Sequence, residues 1–169
     1  MSSKPDGGLE GQEAPDLVRI VSGGQTGVDR AALDVAISLG IPIGGWLPRG
    51  RLTEEGPLDA RYPLRETASA RYADRTRLNV RDADATLILT RGRPTRGTAL
   101  TLAFARQLRR PYLLIDLERP MPPATVRAWL IRQRVRTLNV AGPRESLASG
   151  IYGEALSFLA RVLRPANGA

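Results

Sequence analysis

Apolar and polar positions alternate between two periods along this chain, and the alternation itself predicts a layered α/β fold. Leu17-Val18-Arg19-Ile20-Val21 reads as a short strand running into Ser-Gly-Gly. Val28, Ala31, Ala32, Val35, Ala36 and Leu39 then recur at helical spacing, predicting a helix over 28–39 that Gly40 can stop. Ile41 to Trp46 reads as a second strand, with Pro42 near its start where proline is tolerated. Residues 47–67 carry no clear period and many charges, so they read as a long loop, a feature that is often functional. Ala70–Arg81 reads as a helix, Ala85–Thr90 as a strand, Thr98–Arg109 as a helix and Pro111–Leu117 as a strand. Pro123–Arg134 follows as a helix, Thr137–Ala141 as a strand and Ile151–Leu163 as a closing helix. Strands alternating with helices imply a mostly parallel sheet covered by helices on both faces, with ligands bound outside the carboxyl ends of the strands. Residues 1–16 are polar and rich in Gly, Glu and Pro, and read as a disordered tail before one folded domain over 17–165.

The candidate chemistry sits in the turns at the strand ends. Ser22-Gly23-Gly24-Gln25-Thr26-Gly27 joins the first strand to the first helix. Glycines let the backbone approach a ligand, and a helix start offers unpaired N–H groups with a partial positive charge, so this loop reads as an anion site. The plainer reading makes Thr26 an N-cap, with Asp29 completing a capping box. The spacing is not that of a Walker loop, and no lysine is present there. Ser22 replaces the first glycine of a dinucleotide fingerprint, and the second strand ends in Trp46 instead of a ribose-binding acid. Both features argue against an NAD-dependent dehydrogenase.

A second turn, Thr90-Arg91-Gly92-Arg93-Pro94-Thr95-Arg96-Gly97-Thr98, opens another helix. Gly97 and Thr98 are ligand candidates there, unless Thr98 is a simple N-cap. After the last strand, Asn139 and Arg144 could read a ring edge or a phosphate, or Asn139 could be a satisfied turn residue. On the helix at 70–81, Tyr72, Arg75, Thr76 and Asn79 share one face, a polar stripe of the kind usually solvated. In the long loop, Trp46 beside Arg49 and Arg51 could stack on a flat heterocycle, and Glu54 and Glu55 are the candidate acid–base groups.

Composition narrows the chemistry. The 169 residues contain no cysteine and no histidine. Disulfides, zinc–thiolate sites, thiol nucleophiles and serine–histidine triads are therefore excluded. The net charge is +8, almost all from arginine, since Lys4 is the only lysine. The arginines are scattered, as a GC-rich coding bias would leave them, and no basic–aromatic module points to nucleic acid. No apolar run is long enough to span a membrane, and the N-terminus shows no signal-peptide core, so a cytoplasmic protein is expected.

Five ordered segments, SGGQTGVDRAALDVA, GGWLPRGRLTEEG, RTRLNVRDADATLIL, RGTALTLAFA and LNVAGPRES, resemble the family of molybdenum carrier proteins. This is the circularly permuted YpsA-type branch of the SLOG superfamily, and the resemblance covers about residues 17–163. It implies a Rossmann-like sheet, a homo-oligomer (dimer or tetramer), and binding of molybdenum cofactor, a pterin bearing a phosphate and a dithiolene-held metal. Molybdoenzymes or cofactor-synthesis proteins would be its partners. The implied ligand-binding set is Gly23, Gly24, Gln25, Thr26, Gly27, Arg30, Trp46, Arg75, Asn79, Thr90, Arg91, Gly97, Thr98, Asn139 and Arg144, with no catalytic and no metal-ligating residue. The chain departs from the pattern at Leu47, where members often carry Cys, and at Arg49, where many carry Lys. Related phosphoribohydrolases have a catalytic glutamate where this chain has Thr101, and a hydroxyl cannot replace that base. The expected function is a carrier or store of the cofactor. The alternatives are a hydrolase of nucleoside monophosphates using Glu54 or Glu55, and a nucleotide-derivative sensor.

Overall fold

The computed structural model describes residues 14–164. The tail expectation for residues 1–13 lies outside the described residues. Five parallel strands form the central sheet: β1 (Arg19–Val21), β2 (Ile43–Gly44), β7 (Ala85–Thr90), β8 (Tyr112–Asp116) and β9 (Thr137–Ala141), in the order β2-β1-β9-β7-β8. Ile20 pairs with Ile43 on one side and Leu138 on the other, and Leu87 lies between Val140 and Leu113. All six residues of β7 are buried, as a strand covered on both faces requires.

The helices are α1 (Val28–Ser38), α2 (Tyr72–Asp82), α3 (Arg96–Gln107), α4 (Pro123–Arg132) and α5 (Ile151–Leu163). Helix α5 packs on α1 and α4, while α2 packs on α3. Right-handed crossovers require this division, because the chain leaves β1 and β8 in one direction along the sheet and β7 in the other. Val28, Ala31, Val35, Val126, Leu130, Ala155, Phe158 and Leu159 carry the first layer into one continuous core with Ile20, Leu87 and Leu138.

The expected strand over 41–46 is two strands. Gly45 breaks it with φ 124°, and a Cβ there would stand 2.2 Å from the Ser22 carbonyl oxygen. β3 (Trp46–Leu47) therefore leaves the sheet and pairs in parallel with β6 (Arg65–Glu66). The stretch 47–67 is ordered where periodicity predicts only loop. It contains the hairpin β4 (Leu52–Thr53) and β5 (Gly56–Pro57) and a small core of Leu47, Leu58, Tyr62 and Leu64 against Leu33 of α1. Arg51 organises this segment. Its guanidinium donates to the carbonyl oxygens of Leu58, Asp59, Tyr62 and Leu64 at 2.7–3.4 Å, so it is used up inside the chain.

A pocket where the crossovers reverse

The crossovers of β1 and β7 leave on opposite faces of the sheet, with β9 between them. A crevice at their carboxyl ends follows from that topology. It holds a small, partly open cavity of about 70 Å³. Gln25 and Asp29 contribute from the first turn, Tyr72, Arg75 and Thr76 from α2, Gly97, Thr98 and Thr101 from α3, and Gly142, Pro143 and Arg144 from the turn after β9. Thr76, Thr98 and Thr101 are buried, and the hydroxyl of Thr101 donates back to the Gly97 carbonyl at 3.0 Å. The stripe of Tyr72, Arg75 and Thr76 thus faces the cavity instead of solvent.

Two arginines meet there across one ring. The guanidinium carbons of Arg75 and Arg144 each lie 5.6 Å from the Tyr72 ring centroid. Arg75 lies flat on the Gly23 backbone, where any Cβ would stand 1.8 Å from its Nη1. Its side chain is 12% exposed, yet among the described residues its one ionic contact is a long 3.4 Å approach to Asp29, and its buried Nε has no acceptor. Burial pushes the Asp29 carboxyl up, against the pull of Arg75. A buried cation with so little pairing is costly unless an anion completes it.

Four N–H groups of the first turn find partners inside the protein. The N–H groups of Gly24, Gln25 and Thr26 donate to the side-chain oxygens of Ser22, Asp29 and Gln25 at 3.0–3.3 Å, and that of Val28 donates to the Pro143 carbonyl at 3.2 Å. The capping box at Thr26 does not form. Gly27 is the N-cap of α1, while the Thr26 hydroxyl accepts from Glu145 N and donates to Glu54. Thr98 is not a cap either: α3 begins at Arg96, and its N-cap Thr95 makes no side-chain capping bond. Helix α3 therefore starts without a side-chain cap, as α1 does, and places Gly97 and Thr98 at the cavity, with the Thr98 N–H donated to the Thr95 carbonyl at 3.0 Å.

Of the fifteen residues expected to touch a ligand, the cavity gathers Gln25, Arg75, Gly97, Thr98 and Arg144. Gly23 and Gly24 lie beneath Arg75 and against Leu58 and Leu64, and Gly27 packs on the backbone of 143–145. Thr26, Gly27 and Arg30 border a second, open groove of about 350 Å³, where Arg30 lies over the Tyr62 ring. The hydroxyls of Tyr62 and Tyr152 each donate to Asp34 at 2.6 Å. Trp46 and Asn79 hold each other: Trp46 N donates to Asn79 Oδ1 at 2.8 Å, Asn79 Nδ2 donates to Trp46 O at 2.9 Å, and the indole N–H reaches Asp82. Thr90 bonds the Ile115 carbonyl, Asn139 bonds Thr86, and Arg91 pairs with Glu154. None of these last five lines the cavity.

Glu54 is likewise engaged elsewhere. At the tip of the β4–β5 hairpin its carboxylate accepts from the hydroxyls of Thr26 and Ser146 and from Ser146 N, with Arg144 4.0 Å away. Burial works to raise its pKa, but these donors outweigh it and hold the carboxyl below its ordinary range. Such a group stays ionised and bonded, which does not suit proton transfer. Sequence reasoning missed Asp29, Gly142 and Pro143 as site residues. The first lies inside an apolar helical stripe, and the others look like an ordinary turn.

A helix start without a side-chain cap, two arginines and a switch-point crevice give this α/β fold a polar, cationic pocket. The family model for the circularly permuted YpsA SLOG family matches residues 20–163, and the chain belongs to that family. Among solved structures it is similar to a protein from Syntrophus aciditrophicus SB named "Putative molybdenum carrier protein". The identity is 42% and the TM-score 0.88, over 90% of this chain and 98% of that one. No curated protein matches the chain. Among the described residues no helix is long and apolar enough to cross a membrane, and no group of three His, Cys, Asp or Glu could hold a metal ion.

Proposed function

We propose that this protein is a carrier of molybdenum cofactor, gripping it by its phosphate and leaving it chemically unchanged. The observation that carries this reading is Arg75, a buried cation with one long ionic contact and an orphaned Nε, in a cavity that the start of α3 also lines. A phosphate there would complete the pairing of Arg75, accept from the Thr98 hydroxyl and lie in the field of the helix terminus. The molybdenum-related name of the Syntrophus protein, at 42% identity, supports the choice of cargo. The fit is partial in one respect. The cavity of about 70 Å³ is far below the roughly 300–1,000 Å³ of sites that enclose a whole small molecule, so the pterin would lie outside it. Hydrolysis of a nucleoside monophosphate is the weaker reading. Thr101 lines the cavity where a catalytic carboxylate would be needed, and Glu54 is tied to Thr26 and Ser146.

The test is to purify the protein from cells that make the cofactor, oxidise the sample and measure fluorescent pterin released per chain. The wild type should carry pterin, and Arg75→Met should carry at least about tenfold less, the worth of one charge-assisted contact. Wild-type protein that retains none and cannot be loaded with the cofactor would end the proposal.

A further inference from the structure

The cavity contains a second orphan that says what kind of group it takes. Gln25 is 4% exposed and lines the cavity. Its carboxamide cannot be turned round without loss. The oxygen accepts Thr26 N–H at 3.0 Å and Glu54 N–H at 2.9 Å, so the other end must be the NH₂ group. That nitrogen is buried and has no acceptor. Gln25 Nε2 and Arg75 Nε are thus two donors, from two different elements, that the protein itself leaves unmatched. Thr98 and Arg144 add donor capacity from two more. A volume of about 70 Å³ takes about five waters at roughly 10–15 Å³ each, so a group of about five heavy atoms fits, with anything attached to it lying in the open mouth.

We infer that the cavity is a self-sufficient receptor for a free tetrahedral oxyanion, of the phosphate, sulfate or molybdate class, and that Gln25 selects for an unprotonated oxygen at its NH₂ group. The inference rests on the cavity being the ligand site, but it does not need a pterin. An anion held only by its ester would require contacts along the ring, and a cavity of this size has no room for one. An anion held by converging donors binds whether or not anything is attached to it. The carrier would then take inorganic oxyanion as cargo, or as the occupant of the apo state, with the same groups that grip an ester.

Isothermal titration of the purified chain with sodium phosphate, sulfate and molybdate, each against a sodium chloride control of equal ionic strength, tests this. Saturable one-to-one binding of at least one of the three is expected, and the strongest of them identifies the class. Gln25→Glu keeps the acceptor for Thr26 and Glu54, replaces the donor by an oxygen and adds a negative charge, while Gln25→Met removes the donor without adding charge. Both should weaken that anion by tenfold or more, Gln25→Glu the more, with circular dichroism in the absence of anion showing that each is folded. If none of the three binds, while an intact phosphate ester such as the cofactor does, the receptor is not self-sufficient and the inference is overturned with the carrier reading left standing. Anion binding without any retention of cofactor removes the carrier reading and leaves the inference. Equal affinity in wild type and Gln25→Glu removes the role of Gln25.

Discussion

Two glycines of the two helix-opening turns should respond to the same substitution with opposite signs. Gly27 has φ 74°, and an ideal Cβ on it would stand 2.3 Å from the Pro143 carbonyl oxygen and 2.9 Å from Arg144 C and Glu145 N. All three are backbone atoms, so no flexible side chain can move aside. Left-handed backbone costs an L-residue about 1–2 kcal/mol, overpacking adds about 1–3, and parting Pro143 from the Val28 N–H loses about 1 more. Gly27→Ala should therefore cost about 3–6 kcal/mol. At roughly 2–4 °C per kcal/mol for a chain of this size, Tm should fall by about 10 °C or more. At Gly97 a Cβ meets nothing within 4 Å, and φ is not positive. Alanine near the start of α3 is favoured over glycine by about 0.5–1 kcal/mol, so Gly97→Ala should melt about 1–3 °C higher. Its methyl group would nevertheless stand at the cavity and weaken ligand binding. Thermal unfolding followed by circular dichroism, with the wild type alongside, measures both. Gly27→Ala melting within about 3 °C of wild type, or both variants falling together, would refute the packing argument.

Glu54→Gln should destabilise by about 1.5–3 kcal/mol near neutral pH, since a charged acceptor of three donors becomes neutral. Because the folded carboxyl is held below its ordinary value, that contribution is present above the unfolded pKa near ~4.3 and is lost as pH falls through the lowered folded value. The gap in Tm between wild type and variant should thus narrow progressively as pH falls below about 4; a gap of the same size at about pH 7 and about pH 3 contradicts it. The Tyr152 hydroxyl is pushed up to about 12 by burial and by its bond to Asp34. Its stabilisation is present below the unfolded pKa near ~10 and lost as pH rises towards the folded value, so ultraviolet titration should find a late-ionising tyrosine that Tyr152→Phe removes. Tyr62→Phe and Tyr152→Phe should each cost about 1–3 kcal/mol and be non-additive, because both hydroxyls serve one carboxylate. Additive urea midpoints would mean that Asp34 does not couple them.

Periodicity located the five helices and the long strands because burial of one face leaves a mark every two or three to four residues. It failed over 47–67, where order comes from a different source. Arg51 binds four carbonyls from a left-handed backbone position, and Leu58, Tyr62 and Leu64 bury themselves without repeating spacing. It also failed at Gly45, where the strand ends because a carbonyl from β1's turn crosses its path. Both depend on contacts across the fold, which no local window contains. The polar stripe on α2 is the instructive miss. Tyr72, Arg75 and Thr76 have the pattern of a wet face, and only the placement of α2 beside α3 makes that face line a cavity.

The two glycine turns look alike in sequence and differ in what the tertiary structure does to their N–H groups. The first turn follows β1, whose neighbour β9 delivers the Pro143 carbonyl to Val28 N, while Asp29 folds back on Gln25 N. Its dipole is therefore met by the protein's own oxygens. The second turn follows β7, which lies on the other side of β9. No oxygen from a neighbouring strand comes to it, the Thr95 carbonyl being its one partner among the described residues, and the crevice on that side is lined by Arg75, Arg144 and Gln25. Asp29, which helps satisfy the first turn, also draws Arg75 towards it, so the guanidinium lies against Gly23 with its Nε unpaired among the described residues. On the proposed reading the anion therefore meets the second helix start, and the first turn supplies one side chain, Gln25.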